Sequence, residues 1–136
     1  MPHPVMFDES DPLLARVRGL ALTFPGAAEK ISHGRPFFYT KTAFAVYGGS
    51  VKATGAQFPR SLLVKPDTAE HDALLGQRHT FTPAYLGPSG WIGFDLDRAD
   101  VDWDEVDWDE VAELLDMSFR VTAPARLVRE LDGRVG

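Results

Sequence analysis

Basic and aromatic side chains, which together could contact nucleic acid, are spread over the strand-rich half of the chain. Lysine and arginine can pair with phosphates, and aromatic rings can stack on bases. The alternative role is structural, because lysines protect sheet edges from association and arginines near helix ends interact favourably with the helix dipole. The residues concerned are Lys30, Arg35, Tyr39, Lys41, Tyr47, Lys52, Arg60, Lys65 and Arg78, with Arg120, Arg126 and Arg129 nearer the C-terminus.

Acidic residues are concentrated between positions 95 and 116, against a single basic residue, Arg98. Carboxylates can bind calcium or magnesium, but their spacing here misses the EF-hand pattern and the glycine of its turn is absent. Two interpretations stay open: a solvated face that caps a helix, or a site for weak cation or basic-partner binding. The net charge of -6 repels nucleic acid at long range, although a basic face can act locally because salt screens charges beyond ~8–10 Å.

Signatures of catalysis and of tight metal binding are absent from the sequence. The four histidines, His3, His33, His71 and His79, form no zinc-binding pattern, and no nucleophile elbow or nucleotide-binding loop occurs. The chain has no cysteine, which excludes disulfides, thiolate metal sites and cysteine nucleophiles. The sequence therefore nominates no catalytic residue, no metal ligand and no cofactor.

The size and composition of the chain are those of an ordinary globular protein. At 136 residues it can bury roughly two-thirds of its unfolded surface, so we expect one domain over residues 1–136, with 1–9 as a loose leader. No apolar run approaches the ~20 residues that span a bilayer, and the N-terminus lacks the regions of a secretory signal. We expect a cytoplasmic protein without a membrane partner.

Periodicity and turn residues predict the elements that position these side chains. Ser10 or Asp11 can cap a first helix, and Asp67 can cap a second. The predicted order is a helix at 12–23, two or three antiparallel strands within 29–49, a long loop at 48–60, a strand at 61–65, a helix at 68–75, an edge or broken strand within 79–86, a turn at 87–90 and a strand at 91–96.

The C-terminal part predicts two further helices after an acidic turn. The pentad VDWDE occurs twice in tandem between residues 101 and 110, so Asp102 and Asp107 compete as the cap of the first of these helices. Asp107 is favoured because Trp108 then shares a helix face with Val111 and Leu115. A final helix is expected from about Pro124, with Thr122 as its cap and with Leu127 and Leu131 directed inward.

Several segments in order make the chain resemble the MmcQ/YjbR family of small bacterial proteins. The matching segments are HGRPFFYTKTAFA at 33–45, SLLVKPD at 61–67 followed by ALL at 73–75, FTPAYLGPSGWIGFDL at 81–96 and DWDEVAELLDMSFRVTAPARL at 107–127. The resemblance implies a CyaY-like α+β fold, an antiparallel sheet with helices packed on one face, an N-terminal helix and two C-terminal helices. It also implies DNA binding, with residues 34–41 and 48–60 as two wings. The duplicated pentad, and Arg126 where relatives often have lysine, depart from the family pattern.

These observations favour a non-enzymatic, DNA-binding protein, with Arg35, Lys41, Lys52, Arg60 and Lys65 as the expected phosphate contacts. The first alternative is a protein-interaction module that presents its acidic face, residues 95–113, to a basic protein partner. The second, by analogy with frataxin-like folds, is weak metal binding at the same carboxylates. A positive surface gathered on one side of the sheet would favour DNA binding, and basic residues dispersed among the carboxylates would count against it.

Overall fold

The computed structural model describes residues 4–97 and 106–135, and within them the chain forms four helices and six strands. In chain order these are α1 (Pro12–Ala21), β1 (Ala28–Ser32), β2 (Arg35–Tyr39), β3 (Ala43–Ser50), β4 (Gln57–Val64), α2 (Thr68–Leu75), β5 (Thr80–Phe81), β6 (Ile92–Asp95), α3 (Trp108–Thr122) and α4 (Ala125–Val135). A short 3-10 turn, Gly87–Ser89, lies between β5 and β6.

The strands form one sheet in the order β1-β2-β3-β4-β6-β5, and every neighbouring pair is antiparallel. The α+β prediction, with an N-terminal helix and two C-terminal helices, is confirmed. The β1–β2 turn contains His33 and Gly34, both at positive φ, as a two-residue hairpin turn of the primed type requires. Pro83 falls just after β5, which is a two-residue edge strand, as expected where a proline cannot donate to a ladder.

The two sides of the sheet have different cores. Side chains alternate along β2, so Phe38 points to the helices while Phe37 points to the opposite side, and we call these the helix side and the helix-free side. The main core lies on the helix side, where residues of all four helices pack against the sheet. On the helix-free side a smaller cluster surrounds Phe81, whose ring covers Gly93 so closely that a Cβ there would collide with it.

One expectation about the connections is wrong: residues 48–60 are not a long loop. β3 continues to Ser50 and β4 begins at Gln57, so only residues 51–56 form the turn. The pairing changes register between Tyr47 and Gly49, and Pro59 lies opposite this irregularity, where a missing ladder donor is tolerated. The proline and glycines that interrupt the alternation in the sequence are therefore accommodated inside a hairpin.

The C-terminal helices follow the sequence pattern closely. Asp107 caps α3 by accepting a hydrogen bond from the Glu110 N–H at 3.1 Å, as predicted, and Val111, Leu115 and Phe119 are buried. The first copy of the pentad lies outside the described residues. Thr122 is the last residue of α3 and its hydroxyl donates to the Ser118 carbonyl, so its predicted role as the cap of the next helix is wrong.

The residues before α1 contact the first hairpin. The Met6 N–H donates to the Gly34 carbonyl at 2.9 Å, and Phe7 packs against the main core. None of the helices in the part of the chain that the structure describes is long and apolar enough to cross a bilayer.

Candidate nucleic-acid interface

Three arginines on the helix side are each neutralised by two carboxylates. Arg18 pairs with Glu9 and Glu29, both at 2.7 Å. Arg120 pairs with Asp116 at 2.6 Å and with Asp132 at 2.8 Å. These arginines have little positive charge left for an external ligand.

Arg60, one of the five expected phosphate contacts, is the third neutralised arginine. Its Nη2 donates to Asp11 Oδ1 at 2.8 Å and its Nε donates to Asp11 Oδ2 at 3.2 Å, while its Nη1 lies 3.3 Å from Asp97 Oδ1. These hydrogen bonds to Asp11 raise the pKa of the Arg60 guanidinium. Tyr47 also donates to Asp11, and because Asp11 caps α1, the group fastens the start of that helix to β3 and β4. Within this network Arg60 has a structural role, because it helps to hold the start of α1 against the sheet.

Arg35, by contrast, has no carboxylate of the described residues within ion-pair distance. It begins β2 on the helix-free side, and its guanidinium lies against Gly48, where the absence of a Cβ leaves room for it. Nη2 donates to Gln57 Oε1 at 3.1 Å, whereas Nη1 is buried and has no hydrogen-bond partner among the described residues. Burial lowers the pKa of Arg35, but a guanidinium keeps its proton at neutral pH. The result is a half-buried positive charge paired only with a neutral amide.

The expected lysine contacts lie at opposite ends of the sheet. Lys52 is exposed in the β3–β4 turn, at the end where Arg35 and the β1–β2 turn are found, which we call the Arg35 end. Lys41 is exposed in the β2–β3 turn, and Lys65 follows the last residue of β4, at the other end. The length of β3 separates the two ends by roughly 23 Å. None of these lysines pairs with a carboxylate of the described residues.

The helix-free side of β1 and β2 carries further basic and aromatic groups. Lys30 stands over the Tyr39 ring, with Nζ 4.8 Å from the ring centroid. Alternation places Tyr39, Phe37 and Arg35 on the same side, because the intervening residues of β2 are buried toward the helices. The structure thus brings a lysine, an arginine and two aromatic rings onto one side of one hairpin.

Comparison with protein families finds a match. The YjbR family model matches residues 22–121 of the chain. The chain belongs to the YjbR family. All five of the expected phosphate contacts fall within the matched range. Searches of curated proteins and of solved structures gave no match.

The acidic face of this YjbR-family protein is only partly described. Within residues 4–97 and 106–135, no three histidine or carboxylate side chains are placed to hold a metal ion. Of the carboxylates on which the metal hypothesis rests, Asp102, Asp104 and Glu105 lie outside the described residues. Among the others, Asp97 pairs with Arg60 and Asp107 caps α3.

Sequence reasoning missed two residues at the Arg35 end, Gln57 and Tyr85. Gln57 lies within the loop predicted at 48–60, and only the strand pairing places its amide beside Arg35. Tyr85 lies in the segment 79–86, whose strand character is ambiguous in the sequence, and 86% of the residue is exposed. No signal in the sequence separates this tyrosine from the buried Tyr47.

Proposed function

We propose that this protein binds DNA through the helix-free side of its sheet. Arg35 and Lys52 contact phosphates at one end of the sheet, and Lys41 and Lys65 contact phosphates at the other. Arg60 is left out of this set because its guanidinium is committed to Asp11. A cytoplasmic location is part of the proposal.

The observation that carries the proposal is the state of the Arg35 guanidinium. On the helix side, Arg18, Arg60 and Arg120 are neutralised by carboxylates. On the helix-free side, Arg35 keeps a buried donor that has no partner among the described residues, a condition that native proteins rarely leave uncompensated. A phosphate beside the guanidinium would supply the missing negative charge.

The separation of the two basic ends supports a polymeric ligand. Phosphates follow one another at 3.4 Å of rise along each strand of a duplex, so roughly 23 Å corresponds to about seven base pairs. A small anion could reach one end only. A stretch of DNA could contact both ends at once, and the overall charge of -6 would still limit its long-range attraction.

The test is the salt dependence of DNA binding, measured by fluorescence anisotropy with a labelled oligonucleotide. Four phosphate contacts predict a slope of about -3.6 in log K against log salt for duplex DNA, or a loss of roughly 150-fold between 50 and 200 mM salt. The double variant Arg35→Gln/Lys52→Gln should make the slope shallower by ~1.8. Arg126→Gln/Arg129→Gln, the same charge change at two exposed positions of α4, is the matched control. Absence of binding at 50 mM salt, or equal weakening by both doubles, would overturn the proposal.

A second function, recognition of a basic protein segment, is favoured by a groove on the outer surface of α3. The groove has a volume of about 590 Å³, and Met117 and Val121 form an apolar floor between Asp67, Glu113 and Asp116. Arg120, the one basic residue among the described residues that line the groove, is already paired with Asp116 and Asp132. A helical segment with lysines beside leucines would match this charge and this floor.

This second function is tested with an amphipathic lysine–leucine peptide titrated into the protein. Asp67→Asn/Glu113→Gln should weaken binding, and Asp109→Asn/Glu130→Gln, an equal charge change at exposed positions outside the groove, should not. Asparagine at position 67 can still cap α2. If the two double variants weaken peptide binding equally, the interaction is unspecific electrostatic attraction and this function is excluded.

A further inference from the structure

The backbone at Tyr85 adopts a conformation that tyrosine rarely takes. Its φ is 67°, in the left-handed region, and the Leu86 N–H donates to the Ala84 carbonyl at 2.8 Å, which closes a tight turn around Tyr85. For a bulky residue other than glycine this is an outlier. At the same time 86% of the residue is exposed, the largest exposure among the large hydrophobic residues of the described chain. A strained backbone thus presents an aromatic ring to solvent.

The loop that carries Tyr85 is held in place on both sides. The Ala84 N–H donates to the Ser50 carbonyl at 2.7 Å, and the Gly87 N–H donates to the Pro83 carbonyl at 2.8 Å. Pro83 is buried and Leu86 packs against the cluster around Phe81. The ring is therefore held in a fixed position, so binding of a ligand to it would require little ordering of the loop.

A chain of contacts connects this ring to the unpaired arginine. Arg35 donates to Gln57, Gln57 pairs across the sheet with Ser50, and the Ser50 carbonyl accepts from Ala84, the neighbour of Tyr85. Lys52 follows two residues after Ser50. Tyr85 therefore lies at the Arg35 end of the sheet, the end that also carries Lys52.

We propose that Tyr85 is a stacking platform for an unpaired base, and that the preferred ligand is single-stranded DNA. This inference rests on the proposed function and narrows it. In a duplex both faces of a base are covered by its neighbours, whereas in a single strand a base can be turned out onto an aromatic side chain. An exposed ring at the same end of the sheet as an arginine and a lysine offers two kinds of contact to one strand, stacking for a base and positive charge for its phosphates.

The test compares two labelled ligands, a 12-nucleotide single strand and the duplex of the same sequence, at 50 mM salt. We expect tighter binding of the single strand. Tyr85→Ala should weaken single-strand binding by about 5- to 150-fold, the range of stacking on one base, and should change duplex binding less than twofold. Tyr85→Trp and Tyr85→Phe should retain single-strand binding. Leu22→Ala removes an exposed apolar side chain from the helix side and serves as the control.

Tyr85→Gly distinguishes the contribution of the ring to binding from the strain in the backbone. Glycine adopts positive φ without strain, so this variant should melt at least as high as the wild type while losing single-strand affinity as Tyr85→Ala does. If the duplex binds as tightly as the single strand, or if Tyr85→Ala leaves single-strand binding unchanged, the inference is overturned while DNA binding stands. If neither ligand binds, the proposed function fails as well.

Discussion

The Tyr47 hydroxyl donates to Asp11 Oδ2 at 2.6 Å, joining two residues that are 36 positions apart and almost fully buried. Asp11 caps α1 while Tyr47 belongs to β3, so this contact sets where the first helix lies on the sheet. Arg60 completes the group from β4.

Tyr47→Phe should lower the free energy of unfolding by about 1.5–3 kcal/mol, the usual contribution of a hydrogen bond to a charged group. The ring keeps its packing, so the loss reports the hydroxyl. The measurement is urea denaturation at neutral pH. Tyr39→Phe, on the helix-free side, is the control, and a change at Tyr47 no larger than at Tyr39 would contradict this account.

The Asp11 carboxylate should make stability depend on pH in the acid range. Burial by itself raises the pKa of Asp11, but hydrogen bonds from Arg60, Tyr47 and the Leu13 N–H hold the pKa below the ordinary value of 3.8. Because the folded-state pKa is depressed, the stabilisation is complete above the unfolded-state pKa and is lost as the pH falls through the folded-state value.

Asp11→Asn tests this pH dependence, since asparagine can still cap α1. The difference in unfolding free energy between wild type and variant should be greatest above about pH 5 and should shrink steadily toward about pH 2. Denaturant melts at several pH values supply the measurement. A difference that stays constant over this pH range would contradict a depressed folded-state pKa of Asp11.

Arg60→Gln and Arg35→Gln should separate a structural arginine from a ligand-binding one. Arg60→Gln leaves Asp11 without its counter-charge and should lower the unfolding free energy by about 1–3 kcal/mol. Arg35→Gln removes a charge that has no carboxylate partner among the described residues, so its effect should stay within about 0.5 kcal/mol. For DNA affinity the order should be the reverse, so Arg35→Gln should weaken binding more than Arg60→Gln does. The same order in both measurements would mean that Arg60, too, contacts the ligand.

Gly48→Ala should disturb both the sheet and the Arg35 guanidinium. A Cβ at this position would lie 2.5 Å from Arg35 Nη1, and the φ of 94° disfavours any side chain. We expect a loss of about 1–3 kcal/mol in stability, together with weaker DNA binding because the guanidinium must move.

Gly133→Ala provides the matched control for Gly48→Ala. Outside the helix's own neighbouring backbone, no atom of the described chain lies within 4 Å of the added Cβ in α4, so alanine should raise stability by up to about 1 kcal/mol through its helix propensity. Thermal melts of both variants give the comparison. Equal tolerance of alanine at the two positions would remove the close approach at Gly48 as the basis of the site.

Elements whose signals are local were predictable from the sequence. The cap of α3 at Asp107 and its buried face through Val111 and Leu115 depend on residues three or four positions apart, and both predictions are confirmed. The β3–β4 hairpin was missed because Pro59 and the glycines look like loop residues until a partner strand accommodates them at an irregular register.

The sequence by itself determined the family, the α+β class and the positions of most elements, because helix caps, turns and hydrophobic periodicity depend on residues that are close together in the chain. Only the tertiary structure decided which basic residues are available to a ligand. No local sequence pattern distinguishes Arg60 from Arg35. In the folded chain Arg60 pairs with Asp11, which is 49 positions away, whereas Arg35 donates to the side-chain amide of Gln57, which is 22 positions away. The charge left on each arginine depends on strand register and helix docking, which bring together residues that no local pattern connects.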